Sequence, residues 1–310
     1  MAVKAMQSQK NQAVPELSES EAREHLEKLR WPNGPVCPHC GGIKSTRLEG
    51  TSSRPGLIQC NDCRKQFTVT LGTVLEDSHI SLAKWIKGFH LMCSSKKGIS
   101  ALQLQRNLGL GSYKTAWHMA HRIRWAMKHD MPMLLGTVEV DESYIGGKPR
   151  PGDGKIHKRG RGTSKAPIMV LVERDGSARC KPVDKVDAKN LKGAIIESVD
   201  PSAAIHTDEL AAYNGIGTSF VGGHYTVNHA NGEYARGDVM TNTAESFFSL
   251  IKRGVYGTFH HVSKQHLHRY CDEFGFRWTA RKVTDSERRD KAIMQTEGKR
   301  LFYRQPAGEA

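Results

Sequence analysis

Thr137-Val-Glu-Val-Asp-Glu-Ser-Tyr144 alternates apolar and polar residues, the period of a strand with one buried face, and it carries acids at 139, 141 and 142. Val138 and Val140 define the apolar side. Asp141 therefore points to the opposite side, beside Glu139, and Glu142 points the other way. A strand-borne carboxylate next to a buried face is costly unless it is paired or metal-bound. A second short apolar run, Ala203-Ala-Ile-His-Thr-Asp208, ends on an acid. Acids at strand ends are common site residues in open α/β sheets. A third acid sits in Asn242-Thr-Ala-Glu-Ser-Phe-Phe-Ser-Leu-Ile-Lys252, a predicted helix.

Glu245 has two readings. Asn242 and Glu245 have the spacing of a capping box, with Asn as cap and Glu reaching back. Asn242, Glu245, Ser249 and Lys252 also share one helical face, which puts the carboxylate two turns from a cation able to meet a phosphate. The pattern alone leaves both open.

Around these runs, strands are predicted over 137–144, 167–173, 178–183, 203–208 and 224–228. Helices are predicted over 187–198, 242–253 and 264–279. Three strands, a helix and a further strand make a mixed α/β sheet with helical cover. The segment from Lys148 to Lys165 is Gly-rich and basic and reads as a mobile loop. Lys158, Arg159 and Arg161 are its candidates for gripping a phosphate backbone, against the alternative of a solvated insertion. His206 and His229 read as packing or supporting groups near the acids.

N-terminal to this block, Cys37-Pro-His-Cys40 and Cys60-Asn-Asp-Cys63 are separated by 19 residues. Paired C-x-x-C knuckles at this spacing place Cys37, Cys40, Cys60 and Cys63 around one tetrahedral Zn²⁺. So small a module, poor in large apolar residues, needs such a staple to fold. Ser18 is a plausible N-cap for a preceding amphipathic helix bearing Ala22, Leu26 and Leu29. Cys93, Cys180 and Cys271 read as structural.

Residues 80–130 read as helical, with Leu82, Trp85, Ile86 and Phe89 at helical spacing. Gly98 to Gly109 forms a short helix ending in glycine, and Thr115 to Met127 forms another after a turn. That is the helix-turn-helix pattern, with an ordinary helical hairpin as the alternative. Ser112, Tyr113, Lys114 and His118 near the second helix's start are the candidate DNA contacts. His118, His121 and His129 read as surface or groove residues rather than metal ligands.

The chain has 46 Lys+Arg against 32 Asp+Glu, a net charge of +14. The excess is uneven. Residues 137–260 carry 16 basic and 15 acidic groups, and residues 76–136 carry 9 and 3. A nearly neutral block between basic flanks suits a polyanion partner. The absence of a membrane-length apolar run, and of a signal-like N-terminus, points to a cytosolic, nucleoid-associated protein.

The segments Val140-Asp-Glu-Ser-Tyr-Ile-Gly-Gly-Lys148, His206-Thr-Asp208, Val227-Asn-His229 and Asn242 to Gly254 with Gly257-Thr-Phe-His-His261 carry a resemblance. From about residue 20 to 281, the chain resembles bacterial insertion-sequence DDE transposases of the insertion sequence fifteen-ninety-five family, which carry an N-terminal zinc ribbon. Asp208 and Glu245 have 36 residues between them, the family's spacing, and Lys252 falls at its basic position. Some members use Asn as the third acid; the spacing here favours Glu245 over Asn242. The resemblance implies a ribonuclease-H-like mixed-sheet catalytic core and recognition of terminal inverted repeats in double-stranded DNA. It also implies two Mg²⁺ (or Mn²⁺) ions held by Asp141, Asp208 and Glu245, and action as a homo-oligomer on paired ends. The expected organisation is a disordered N-terminus over 1–17, the zinc-ribbon module over 18–75 and the helix-turn-helix region over 76–136. A catalytic domain over 137–281 and a charged tail over 282–310 complete it. A non-catalytic DNA-binding regulator, and a nuclease that cuts without joining, are the rival readings.

Overall fold

The computed structural model describes residues 16–50, 53–128, 132–146, 163, 165–228, 233 and 235–303. These fall into two compact units. One takes the described residues up to Met127 together with those from Val283 onward, and the other covers Lys128–Lys282.

The first unit opens with helix α1 (Glu19–Arg30). Its start is fixed by a capping box in which Ser18 and Glu21 each bond the other's backbone N–H. Ala22 and Leu26 are its buried residues. Strands β1 (Ser45–Arg47), β2 (Ile58–Cys60) and β3 (Gln66–Phe67) form an antiparallel sheet in that order. The third strand stops at Phe67, and the chain beyond it turns, with Leu71 N and Thr73 N bonding the carbonyls of Thr68 and Thr70.

Helix α2 (Leu82–Ser94) buries Trp85, Ile86, Phe89 and Met92. Glu19 accepts hydrogen bonds from its first amides, Leu82 N and Ala83 N. Helix α3 (Ala101–Leu108) ends at Gly109, which adopts the left-handed conformation (φ 56°) that a helix C-cap favours. Helix α4 (Tyr113–Met127) follows after a three-residue turn and packs on α3.

The second unit is built on a five-stranded mixed sheet. It comprises β4 (Thr137–Ile145), β5 (Ala166–Glu173), β6 (Ala178–Pro182), β7 (Ala204–Thr207) and β8 (His224–Thr226), in the order β6-β5-β4-β7-β8. β4, β5 and β6 are antiparallel neighbours, while β7 is parallel to β4 and β8 to β7. This is the ribonuclease-H-like mixed sheet that the resemblance implies. A separate two-stranded hairpin of β9 (Ala235–Arg236) and β10 (Val239–Met240) packs through β10 against β7 and β8.

Period-two alternation gives the sheet two apolar faces. Val138, Val140, Met169, Leu171 and Ile205 pack under helix α5 (Ala188–Ser198) through Leu191, Ala194 and Ile195. Ile145, Ile168, Val170 and Val172 face the other way. They pack against helix α6 (Asn242–Gly254) through Ala244, Phe247, Phe248 and Ile251, and against helix α7 (Leu267–Thr279) through Cys271 and Phe274. Where α6 ends, residues Val255–Phe259 continue in a π-helical turn.

The chain beyond Arg281, expected as a charged helical tail that frays, forms helix α8 (Asp285–Met294) and packs on α2 in the first unit. Beyond α8, Gly298 N bonds Gly72 O, and Lys299 Nζ bonds the carbonyl of Ala126. These contacts hold the segment against the unit as far as Tyr303.

The start of β7 depends on one close approach. A Cβ on Gly222 would sit 2.6 Å from the Ala203 carbonyl carbon and the Ala204 nitrogen, both backbone atoms that cannot step aside. Gly222→Ala should therefore destabilise the second unit by roughly 1–3 kcal/mol, read as a lower melting temperature by calorimetry. An unchanged melting temperature would show that the contact relaxes freely.

Candidate active site and metal centre

The parallel register of β4 and β7 pairs Thr137 with Ala204, Val138 with Ile205 and Glu139 with His206. Two residues further along each chain come Asp141 and, just past the strand end, Asp208. Alternation turns Asp141 away from the α5 face, as expected from Val138 and Val140. It shares its side with Glu139 and with α6, the helix that carries Glu245. Asp208 Oδ1 accepts from Leu210 N at 3.0 Å, which holds its side chain in the turn after β7.

Asp141 feels the other acids. The Asp141 carboxyl is pushed up to about 8, first by burial and then by Glu142, with Asp208 and Glu245 adding to the rise. A hydrogen bond from Glu142 N to Asp141 Oδ1 (2.7 Å) opposes it. Asp141, Asp208 and Glu245 are thus electrostatic neighbours, but they do not close tightly. Among the described residues, the single group of three or more His, Cys, Asp or Glu ligand atoms lying within 4.8 Å of one another is the four cysteines.

The fit of a hard divalent cation follows from the chemistry of the donors. Burial and the neighbouring acids raise the free energy of ionised Asp141, and carboxylate oxygens are the donors Mg²⁺ takes. Glu142 leaves the group: it lies on the α5 side, where its Oε2 accepts from the buried Tyr213 hydroxyl at 2.7 Å.

The capping reading of Glu245 does not hold. Asn242 is the first helical residue, and the N-cap is Thr241, whose side chain makes no capping bond. The cap comes instead from Glu139. Its Oε2 accepts from Thr243 N (2.7 Å) and Ala244 N (3.2 Å), and its Oε1 from Thr243 Oγ1 (2.9 Å). Oε1 also accepts from Arg174 Nε and Nη2 at 3.2 and 3.0 Å. Glu139 is wholly buried and was not among the expected site residues. The signal for it was present: a second acid two places from Asp141 on a buried strand face must find partners. Lys252 lies two turns beyond Glu245, with Nζ 5.6 Å from the Phe248 ring centroid.

His206 is buried between Arg174, whose Nη2 lies 3.5 Å from Nδ1, and the Tyr225 ring. Burial, with Arg174 beside it, holds its pKa below the usual range. His229 and the loop candidates Lys158, Arg159 and Arg161 lie outside the described residues, as does His129.

In the first unit, Cys37 Sγ and Cys63 Sγ are 3.7 Å apart, and Cys40 Sγ and Cys60 Sγ are 3.6 Å apart, with no disulfide. A tetrahedral zinc with 2.3 Å bonds sets its sulfurs about 3.8 Å apart. The knuckles match each other. Gly41 N bonds Cys37 O, and Arg64 N bonds Cys60 O, with positive φ at both Gly41 (76°) and Arg64 (62°). Amides of Cys63 and Asp62 lower the Cys60 thiol toward about 7. This is a zinc-ribbon centre of the expected kind.

Of the helix-turn-helix candidates, Ser112 Oγ accepts from Thr115 N at the start of α4, and Tyr113 is exposed. Lys114 Nζ stands 4.4 Å from the centroid of the Tyr303 ring, and His118 meets the same ring edge-on at 5.5 Å. His121 is not a surface residue: it is buried against Trp117, with ring centroids 4.1 Å apart. Cys93, Cys180 and Cys271 are buried. Among the described residues, no helix is long and apolar enough to cross a membrane.

Residues 133–279 match the model of the ISXO2-like transposase domain, and residues 17–66 match the transposase zinc-ribbon domain. A protein of Halobacterium salinarum, described as an uncharacterized protein in transposable element ISH50, is 31% identical over 272 residues. The match spans 84% of this chain and 91% of that one. Two solved structures are similar over part of the chain. The simian T-cell lymphotropic virus intasome with PP2A regulatory subunit B56 gamma has a TM-score of 0.32 at 16% identity, over 58% of this chain and 65% of that chain. The pre-cleavage Mos1 transpososome has a TM-score of 0.27 at 13% identity, over 67% and 78%. At these scores neither likeness carries an argument about this chain.

Two outcomes are expected. The purified chain should hold one zinc per molecule, and a chelator or Cys60→Ser should unfold the ribbon, read by metal analysis and circular dichroism. Full ribbon structure without metal would contradict the four-sulfur centre. The second concerns pH. A carboxyl whose folded pKa lies above its unfolded value of about 3.9 adds stability that is complete below that value and lost as pH rises through the folded pKa. Without added divalent cations, the native chain should therefore lose stability from about pH 4 to pH 8. Asp141→Asn should flatten that slope and melt higher at pH 8 by about 3 °C or more. Equal slopes would place Asp141 in a less crowded setting.

Proposed function

Because this chain belongs to the family of transposases with an ISXO2-like domain and an N-terminal zinc ribbon, we propose that it cuts and joins DNA strands at the ends of an insertion sequence, with Asp141, Asp208 and Glu245 as its metal-binding acids. One observation carries the reading. Strand register sets Asp141 beside Asp208, on the sheet face covered by the helix that bears Glu245, and both acids act electrostatically on Asp141.

Asp141, Asp208 and Glu245 would together hold the divalent ions. When bound, Mg²⁺ (or Mn²⁺) supplies Lewis-acid activation of the attacking oxygen and neutralises charge on the leaving oxygen of an in-line displacement. The chain's own part is placement. The strand pair fixes two carboxylates, and the helix brings the third. Lys252, two turns along α6, meets a phosphate of the bound strand. No Ser, Tyr or Cys nucleophile is required, and all three cysteines outside the ribbon are buried.

DNA holding falls to separate surfaces. Ser112, Tyr113, Lys114 and His118 at the start of α4 would read or grip the duplex ends. Lys158, Arg159 and Arg161 would hold the backbone. The basic balance of the chain favours this partner. Action on paired ends would take two or more copies.

The test uses purified protein, Mg²⁺, a labelled inverted-repeat end and a target duplex. Asp141→Asn, Asp208→Asn and Glu245→Gln should each lower cleavage and joining by about 10³-fold or more, while DNA affinity by gel shift stays within a few-fold. Full activity in any one variant removes that residue from the site. Cleavage without joining in the native chain would favour the nuclease reading.

A further inference from the structure

Glu139, wholly buried, and Asp141, partly exposed, stand two residues apart on one face of β4, yet only Glu139 has its oxygens filled by the protein. Both oxygens of Glu139 are filled. Oε1 accepts from Arg174 Nε, Arg174 Nη2 and Thr243 Oγ1, and Oε2 accepts from Thr243 N and Ala244 N. A carboxylate with five donors has no lone pair free for a cation. It cannot be a fourth metal ligand, near as it is to the site.

What it does instead is read from where the donors come from. Arg174 lies just past β5, in the sheet. Thr243 and Ala244 are in the first turn of α6, and Glu245 is the next residue along the helix. The apolar contacts of Ala244, Phe247, Phe248 and Ile251 decide which face of α6 meets the sheet. Apolar burial is non-directional, so it leaves sliding and rotation about the helix axis weakly fixed. Hydrogen bonds to two successive amides and to one hydroxyl are directional, and they act one residue from Glu245.

We propose that Glu139 is a positioning residue: it ties the first turn of α6 to β4 and so sets the reach of Glu245 toward Asp141 and Asp208, and with it the affinity of the three acids for divalent cations. The proposal rests on the reading of those three acids as the metal site. Arg174 is part of the same device, since it holds Oε1 in place from the sheet side. Thr243 contributes through its hydroxyl, a bond that a valine of the same shape would lack.

The experiment titrates the full-length, zinc-loaded chain with Mn²⁺ alone, followed by electron paramagnetic resonance, together with melting temperature and strand cleavage against Mn²⁺ concentration. Glu139→Gln keeps the size of the side chain and should weaken Mn²⁺ binding by about 10–100-fold. Cleavage should be partly recovered at high Mn²⁺, and Asp141→Asn should remove binding altogether. A purely structural role would lower the melting temperature and leave the Mn²⁺ affinity of the folded fraction unchanged; that result overturns the proposal. If Glu139→Gln does not fold, Thr243→Val decides. It should weaken Mn²⁺ binding by roughly fivefold, since it removes one of the five hydrogen bonds to the Glu139 carboxylate, and unaltered affinity overturns the proposal equally. Unaltered affinity in Asp141→Asn would instead overturn the metal-site reading itself, whatever Glu139 does.

Discussion

Two acids on one strand face set the terms for the second unit. A carboxylate taken out of water costs several kcal/mol unless its oxygens are satisfied. Glu139 meets that cost with five hydrogen bonds, two of them from the amides of a helix start, where the dipole favours negative charge by up to about 2 kcal/mol in partly buried settings. Asp141 receives one amide bond, from Glu142, and has three acidic neighbours in Glu142, Asp208 and Glu245; burial and these charges raise its pKa to about 8. The same sheet face therefore holds a saturated acid and a starved one. Fold and proposed site divide between them: the saturated acid docks a helix, and the other, in the reading proposed above, would be left to attract a cation.

The first unit solves a different problem with a different staple. Its three strands are two or three residues long, and among their buried side chains only Ile58 and Phe67 are large. That little apolar surface does not order a sheet against chain entropy. Four sulfurs gathered within 4.8 Å of one another tie the two knuckles together, which is where a metal's binding energy becomes folding energy. The neighbouring helices have their own core of Trp85, Phe89, Met119 and Ile123 and need no such help.

The sequence made the strands legible because alternation is local. The apolar sides of 137–144 and 167–173 follow from neighbouring residues, and the structure builds both sheet faces on them. The cysteine spacing was legible for the same reason, since each knuckle closes within a few residues. Glu139 was not. Its partners Arg174 and Thr243 are 35 and 104 residues away along the chain, and no window of sequence joins them. The capping box at Asn242 and Glu245 failed through the same blindness. Local spacing offered Asn242 as a cap, and a distant side chain took the role. Tyr303 against Lys114 and His118 is a third case, a contact made by a segment that composition marks as a tail.

The starved acid also explains why the site is loose. Three carboxylates drawn within one ion's ligand sphere without a cation would each raise the others' pKa further, at a cost the fold would have to carry at neutral pH. Here the strand pair and the helix stop short of that. They bring the acids near enough to act on Asp141, but not into a group as tight as the cysteines. In the proposed site, backbone constraints would hold the three oxygen-donor acids part-way together, and a bound cation would complete the closure. That arrangement makes the docking of α6 decisive: a small error in the helix's axial position is not corrected by the acids themselves, which repel. A directional tie at the first turn, such as that of Glu139, keeps Glu245 within reach.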